Sequence, residues 1–169
     1  MEESKTIFNE VASGQYDAAD RPFDFLMEQG ETALVCEPDS AANDKICNDL
    51  KLLDYAITEA ESVKDALKKM QFHVFDLILI NESFDAGNAH ELLKAIEMLD
   101  MSNRRQMFVA LVGDSFRTMD SMAAFRKSVN LVINKGDLNE IGVIIKHGVQ
   151  ENKVFYHNYM DVLRSKGRL

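Results

Sequence analysis

Short apolar runs alternate with amphipathic stretches along most of this chain. Five of the runs are continuous enough for strands that are buried on both faces of a sheet. They are Thr32–Cys36, 55–60, 76–80, 107–112 and 129–133. The run at 55–60 is the weakest, because charged and small residues interrupt it.

The stretches between the runs carry apolar residues at the three- and four-residue spacings of a helix face. Ile46, Leu50 and Leu53 form one such stripe after the first run. Two later stripes consist of Val63, Ala66, Leu67 and Met70, and of Leu92, Leu93, Ile96 and Leu99. Residues 118–127 predict a fourth, short helix. A capping box formed by Asp137 and Glu140 predicts the start of the last helix.

Alternating strands and helices of this kind predict an α/β fold. Five units match the flavodoxin-like (βα)5 arrangement, a doubly wound parallel sheet of order 2-1-3-4-5, here with an extended C-terminal helix. The functional crevice of such folds lies beyond the carboxyl ends of the strands. The polar residues and glycines that follow the strand runs are Glu37, Asp39, Asn81, Glu82, Gly113, Asp114, Ser115, Asn134, Lys135 and Gly136.

Three strand ends carry recognisable motifs. Segments 34–39, 76–81 and 133–135 read Leu-Val-Cys-Glu-Pro-Asp, Asp-Leu-Ile-Leu-Ile-Asn and Ile-Asn-Lys. Through them the chain resembles the receiver domains of two-component response regulators over residues 32–150. The resemblance implies acids that bind Mg²⁺ after the first strand and an aspartate at the end of the third strand that accepts a phosphoryl group. It also implies a hydroxyl residue after the fourth strand and a lysine after the fifth.

The sequence departs from this pattern at the positions that perform the chemistry. Asn81 stands at the acceptor position, and a neutral amide cannot form the acyl phosphate that a carboxylate forms. Pro38 stands at the second acidic position and offers no side-chain oxygen to a hard cation, although Asp39 follows it. Gly113 stands where the hydroxyl residue belongs. The degenerate phosphorylation site that the resemblance defines consists of Glu37, Asp39, Asn81, Gly113 and Lys135.

These substitutions predict a pseudo-receiver, a non-enzymatic module that acts through protein contacts, with no catalytic residue, no cofactor and impaired Mg²⁺ binding. Lys135 is expected to pair with Glu37 or to bond the amide oxygen of Asn81, which would fix the crevice without phosphate. One alternative is an atypical but phosphorylatable receiver in which Glu82 or Asp85 accepts the phosphoryl group. Another is a small α/β enzyme of unknown reaction.

The helical pattern that begins near Asp137 continues to about Arg164, which is longer than a final domain helix needs. Its later stripe consists of Phe155, Tyr159, Val162 and Leu163. Because aromatic anchors on amphipathic helices are common in interfaces, we predict that these residues bind a partner, a second copy of the chain in the first instance. The alternative is that the stretch folds back over an edge of its own domain, with Gly148 breaking the helix.

Length and charge limit the domain organisation and the kinds of partner that the chain can have. The 169 residues suit an N-terminal arm or leader at 1–30, a receiver-like domain at 31–150 and a C-terminal helical extension at 151–169. A net charge of -9 argues against nucleic acid and anionic membranes as partners. No apolar run approaches the length of a membrane span, and the polar start is unlike a secretory signal, so we expect a cytoplasmic protein. Cys36 and Cys47 lack metal-site spacing and are expected to be buried, reduced thiols.

Overall fold

A five-stranded parallel sheet of order β2-β1-β3-β4-β5 forms the centre of the computed structural model, which describes residues 30–167. The strands are β1 (Thr32–Cys36), β2 (Ala56–Glu59), β3 (Leu77–Asn81), β4 (Phe108–Gly113) and β5 (Leu131–Asn134). All residues of the three inner strands are buried, whereas the edge strand β2 is only partly buried. The predicted fold class and strand order are confirmed, and partial burial explains why β2 has the weakest apolar pattern.

Helices cover both faces of the sheet. The helices are α1 (Ser40–Leu52), α2 (Val63–Phe72), α3 (Ala89–Glu97), α4 (Ser121–Arg126), α5 (Ile141–Phe155) and α6 (His157–Ser165). Single helical turns at Phe84–Gly87 and Met101–Arg104 and a 3-10 helix at Lys135–Glu140 complete the secondary structure of residues 30–167. No helix in this range is long and apolar enough to cross a membrane.

The core has two layers because neighbouring strand residues point to opposite faces of the sheet. Leu34 and Ile78 pack with α2, α3 and α4, whereas Val35 and Leu79 pack with α1 and α5. Cys36 belongs to the first layer, and burial raises the pKa of its thiol. Both cysteines are free and buried, as predicted.

The start of α5 differs from the prediction. Residues 137–140 lie in the 3-10 helix, and Glu140, at the N-cap position of α5, makes no side-chain capping hydrogen bond. The predicted capping box is therefore wrong. Its first member, Asp137, instead accepts a hydrogen bond from the hydroxyl of Thr118.

The C-terminal stretch forms two helices instead of one. α5 passes through Gly148 without a break, and the chain turns at Tyr156 before α6 begins. Gly148 is buried because it packs on the sheet, where an added Cβ would lie 3.0 Å from Phe108 Cζ and 3.3 Å from Leu131 Cδ2. The suggested break at Gly148 is wrong, and the glycine instead allows α5 to approach β4 and β5.

After the turn, α6 lies beneath the amino ends of the strands. The Arg105 guanidinium stacks 5.1 Å from the centre of the Tyr159 ring, and Lys153 at the end of α5 forms an ion pair with Glu31. A groove of about 410 Å³ lies between Asp76 and Tyr156. The extension thus contacts an edge of its own domain. The predicted boundary at residue 150 falls within α5, and residues 1–29 of the predicted arm lie outside the described part of the chain.

The close approach of α5 generates a first prediction. Gly148→Val should lower the free energy of unfolding by about 1–3 kcal/mol, because its branched side chain would overlap Phe108 and Leu131. Gly142→Ala is the matched control in the same helix, since a Cβ there meets only an ordinary 3.4 Å contact with Asp49. It should be neutral or slightly stabilising. Chemical denaturation measures both changes, and equal effects at the two glycines would contradict this packing.

Candidate functional site

Glu37 and Asn81 lie side by side at the carboxyl edge of the sheet. Glu37 directly follows β1, Asn81 is the last residue of β3, and these strands are neighbours, with Cys36 opposite Ile80. Asn81 is 1% exposed and Glu37 is 8% exposed. The parallel register therefore buries an amide against a carboxylate at the centre of the predicted site.

Asn81 satisfies Glu37 through two hydrogen bonds. Its Nδ2 donates to Glu37 Oε1 at 2.9 Å and to Oε2 at 2.8 Å. Its Oδ1 accepts from the backbone N–H of Ser83 at 2.9 Å. Only one amide orientation fits these neighbours, because a carboxylate cannot donate and a backbone N–H cannot accept. The pair is thus a buried, fully oriented contact.

Asp39 does not replace the missing second acid. Its exposed side chain caps α1, where Oδ1 accepts a hydrogen bond from the backbone N–H of Ala41 at 3.1 Å. Its own backbone N–H donates to Glu37 Oε1 at 3.1 Å. Both its side chain and its backbone therefore serve the local turn, as expected for an aspartate at a helix N-cap.

The site residues do not fit Mg²⁺. The ion requires near-octahedral oxygen coordination, yet both carboxylate oxygens of Glu37 face N–H donors and the amide oxygen of Asn81 is bonded to Ser83. Pro38 contributes no side-chain oxygen. Across residues 30–167, no three His, Cys, Asp or Glu side chains group as metal ligands would.

Lys135 does not make the contact that the sequence predicts. Its Nζ lies 3.5 Å from Ser83 Oγ and 3.4 Å from Asp114 Oδ2, so it bonds neither Glu37 nor the Asn81 amide oxygen. Those acceptors are already occupied by other donors, which leaves the lysine at the rim. An ion pair this long and this exposed contributes well under about 1 kcal/mol to stability.

Gly113 provides space for a contact that sequence reasoning missed. Asn81 pairs with Val112, which places Glu82 beside Gly113. A Cβ on Gly113 would lie 2.9 Å from Glu82 Cδ and 2.8 Å from Phe116 Cε2. The Glu82 carboxylate occupies this space and forms an ion pair of 3.2 Å with Lys127, whose Nζ lies 5.7 Å from the centre of the Phe116 ring. The signal available in the sequence was that Glu82 and Gly113 both follow the ends of strands predicted to be neighbours in the sheet.

The loop after β4 is fixed by side chains of the loop and of β5. Asn134 Nδ2 donates to the backbone oxygen of Phe116 at 2.6 Å, and Asn134 Oδ1 accepts from the N–H of Gly136 at 2.8 Å. The backbone N–H of Asn134 donates to Thr118 Oγ1 at 2.9 Å. These contacts hold the loop through bonds within the chain.

The two alternative phosphoryl acceptors also have structural partners. Glu82 pairs with Lys127, and Asp85 Oδ2 accepts a hydrogen bond of 3.0 Å from the backbone N–H of Val63 at the start of α2. Asp85 and Ala86 have positive φ values of 51° and 55°, a conformation that L-residues rarely adopt. The turn after β3 thus directs the Asp85 carboxylate toward α2.

The predicted partner-binding residues are divided between two helices and are exposed to different degrees. Phe155 ends α5 and is 80% exposed, whereas Tyr159 of α6 packs beneath the guanidinium of Arg105. Val162 is exposed and Leu163 is half-buried. The turn at Tyr156 breaks the helical phase that would have aligned all four.

The fold is that of receiver domains. No protein-family model and no curated protein matches the chain. A CheY-like receiver domain protein of Methanospirillum hungatei is 20% identical, with a TM-score of 0.59 over 74% of this chain and 98% of that one. A chemotaxis response regulator of Vibrio cholerae is 16% identical, with a TM-score of 0.60 over 72% and 99% of the two chains. An orphan response regulator of H. pylori is 17% identical, with a TM-score of 0.55 over 70% and 96%.

The space above Gly113 generates a second prediction. Gly113→Ala should destabilise the protein by about 1–3 kcal/mol, because the new Cβ would overlap the Glu82 carboxylate and Phe116. In a Glu82→Ala background the same change should lower the free energy of unfolding by less, because the overlap with the Glu82 carboxylate is absent. A double-mutant cycle of unfolding free energies measures this coupling. A zero coupling energy would contradict the packing of Glu82 over the glycine.

Proposed function

We propose that this protein is a pseudo-receiver, a non-enzymatic module that binds a protein partner independently of phosphorylation in a two-component-type signalling pathway. The observation that supports this most directly is the buried pair of hydrogen bonds from Asn81 to Glu37. An amide stands where a carboxylate would be needed as nucleophile, and it also occupies the acid that would hold the metal.

The surrounding contacts support a crevice with one stable conformation. In a phosphorylation switch, a new charge recruits a lysine and a hydroxyl group and so reorders a loop. Here the loop after β4 is already held by Asn134, and Glu82 already pairs with Lys127. The arrangement favours a constant binding surface over a switched one.

The alternative of an atypical phosphorylatable receiver needs Glu82 or Asp85 to give up its present partner. Glu82 would have to leave Lys127, and Asp85 would have to leave the backbone of Val63, which the start of α2 uses. Each step removes a charge-assisted contact without a metal site to offset it. The observations therefore favour the pseudo-receiver.

The receiver fold implies function through protein contacts. We propose a neutral or basic partner, because the net charge of -9 repels acidic surfaces at long range. Association of two copies through Phe155, Tyr159, Val162 and Leu163 stays a proposal. Phe155 and Val162 are its most exposed members. A cytoplasmic location is part of the same proposal.

A titration with Mg²⁺ and beryllofluoride, a phosphoryl mimic, tests the central claim. We expect no change in the amide NMR signals of Glu37, Asn81, Gly113 and Lys135 at roughly millimolar ligand, because the groups that would bind are already bonded. Asn81→Asp is the comparison variant, since it restores the carboxylate alone. Saturable shifts in the unaltered protein would refute the proposal and favour the phosphorylatable alternative.

The same variant gives a stability prediction. Asn81→Asp should lower the free energy of unfolding by roughly 2–4 kcal/mol at neutral pH, because it replaces a hydrogen-bond donor by a second buried carboxylate beside Glu37. Two adjacent buried carboxylates would repel each other, so the folded variant would bind a proton that the unfolded chain releases. The variant should therefore be least destabilised in acid and should lose stability as pH rises toward neutral.

Asn88→Asp is the matched control, because this exposed residue at the start of α3 makes no side-chain capping bond and the change adds the same charge. It should be neutral or slightly stabilising at all pH values. Unfolding curves between about pH 3.5 and pH 8 measure both variants. A pH-independent loss at Asn81, or equal behaviour of the two variants, would show that Glu37 and Asn81 do not interact as described.

A further inference from the structure

The groove beneath the amino ends of the strands is a cavity that the proposed function does not use. It encloses about 410 Å³ between the sheet and α6. Tyr55 before β2 and Phe108 at the start of β4 line it on one side, and Tyr156 and Met160 line it on the side of α6. The first two are buried and the other two are half-buried. A cavity of this volume, with aromatic walls, can hold a small ligand or a few large side chains.

The rim of the groove carries a cation that the fold leaves available. The two carboxylates of the rim are already engaged, since Glu31 pairs with Lys153 and Asp76 accepts the first N–H of β1 at 2.7 Å. Arg105 is exposed, and within residues 30–167 its guanidinium contacts the ring of Tyr159 but forms no ion pair with a carboxylate. A carboxylate brought to the groove would therefore pair with Arg105 without displacing another acid.

The chain enters the sheet at this groove. Glu31 lines the groove and directly precedes β1, so the preceding part of the chain is tethered to the rim. An extended chain spans at most about 3.6 Å per residue, which keeps Phe25, six residues earlier, within roughly 22 Å of Glu31. A segment tethered this closely has an effective concentration in the millimolar range. The tether thus favours this part of the chain over a free ligand as the occupant of the groove.

Residues 22–28 match the groove in polarity and in charge. They read Pro-Phe-Asp-Phe-Leu-Met-Glu, with two phenylalanines, two carboxylates and no basic group. Phe23 and Phe25 alternate with Asp24, and such alternation gives an extended segment one aromatic face and one acidic face. The aromatic face suits the walls of the groove, and the acidic face suits Arg105 on its rim.

We propose that the groove binds residues 22–28 of its own chain. In this interaction Phe23 and Phe25 occupy the cavity between α6 and the sheet, and Asp24 forms an ion pair with Arg105. A segment that binds with a dissociation constant of about 0.2 mM as a free peptide would, at an effective concentration of about 1 mM, be docked in roughly five molecules out of six. The docked segment covers the amino edge of the sheet and holds α6 against it.

This interaction goes beyond the proposed function and does not rest on it. The crevice with Glu37 and Asn81 lies at the carboxyl ends of the strands, whereas the groove lies at their amino ends. The beryllofluoride titration reads the crevice alone, so failure of either proposal leaves the other standing. The groove is also separate from the four residues proposed for contact between two copies, because none of them lines it. These residues are Phe155, Tyr159, Val162 and Leu163.

Limited proteolysis of the full chain by chymotrypsin tests the proposal. When cleavage is slow, its rate follows the fraction of molecules in which the segment is undocked. Cleavage after Phe25 reads this fraction, and cleavage after Phe8 in the same chain is the internal reference. Arg105→Glu should accelerate cleavage after Phe25 about fivefold relative to Phe8, because it turns an attraction into a repulsion. Lys68→Glu, the same charge change at an exposed residue of α2, should leave the ratio unchanged.

A charge exchange separates this contact from a general loosening of α6. Asp24→Arg should by itself remove the protection of the bond after Phe25, and adding Arg105→Glu to it should slow that cleavage again by about fivefold. The single and double variants have the same sequence around the cleaved bond, so their rates compare directly. If Arg105→Glu acted through the lost stacking on Tyr159, the double variant would be cleaved as fast as the single.

Three results would overturn the proposal. The first is an equal cleavage ratio in the unaltered chain, in Arg105→Glu and in Lys68→Glu. The second is a double variant that is cleaved as fast as Asp24→Arg alone. The third is a cleavage ratio that changes with protein concentration between about 5 μM and about 500 μM, because the segment would then occupy the groove of a second copy.

Discussion

The hydrogen bonds from Asn81 to Glu37 are the contact on which the centre of the carboxyl edge of the sheet depends. A carboxylate as deeply buried as Glu37 costs several kcal/mol if it is left unpaired, so it requires a donor from within the chain. Asn81 supplies that donor from the neighbouring strand. Lys135 contacts neither of these two side chains and remains at the rim with Ser83 and Asp114. One neutral side chain thus stabilises the buried acid on the neighbouring strand.

The other departures from the receiver pattern form contacts of their own. Gly113 lacks the hydroxyl expected after β4, and its missing side chain leaves the space in which the Glu82 carboxylate reaches Lys127. Asp39 is one residue out of place for a metal and is well placed to cap α1. The site is therefore held together by contacts within the chain. Reversing the substitution at Gly113 alone would create a clash with Glu82, and reversing the one at Asn81 alone would place two carboxylates side by side.

The sequence was sufficient for the sheet because the inner strands are buried on both faces and leave continuous apolar runs. The sequence also identified the residues at the strand ends. It could not predict their hydrogen-bond partners, because these depend on which residues lie opposite each other in neighbouring strands. The prediction for Lys135 failed because it counted charges and not the donors already bound to Glu37. The break between α5 and α6 was missed because the apolar spacing in the sequence continues through Tyr156. In the structure the chain turns at this residue, and Tyr159 contacts Arg105 instead of extending the line of α5.

The turn at Tyr156 also determines which surface remains for partners. A continuous helix would have carried Phe155, Tyr159, Val162 and Leu163 past the domain as one stripe. Because α6 instead lies beneath the strands, Tyr159 is half-buried beside Arg105, whereas Phe155 at the end of α5 stays exposed. The buried side of α5 contacts β4 at Phe108 through Gly148, at the end of the strand opposite Gly113. The same helix begins directly after the 3-10 helix Lys135–Glu140 at the rim of the crevice, so a partner that contacts α5 would contact an element joined to both ends of the sheet.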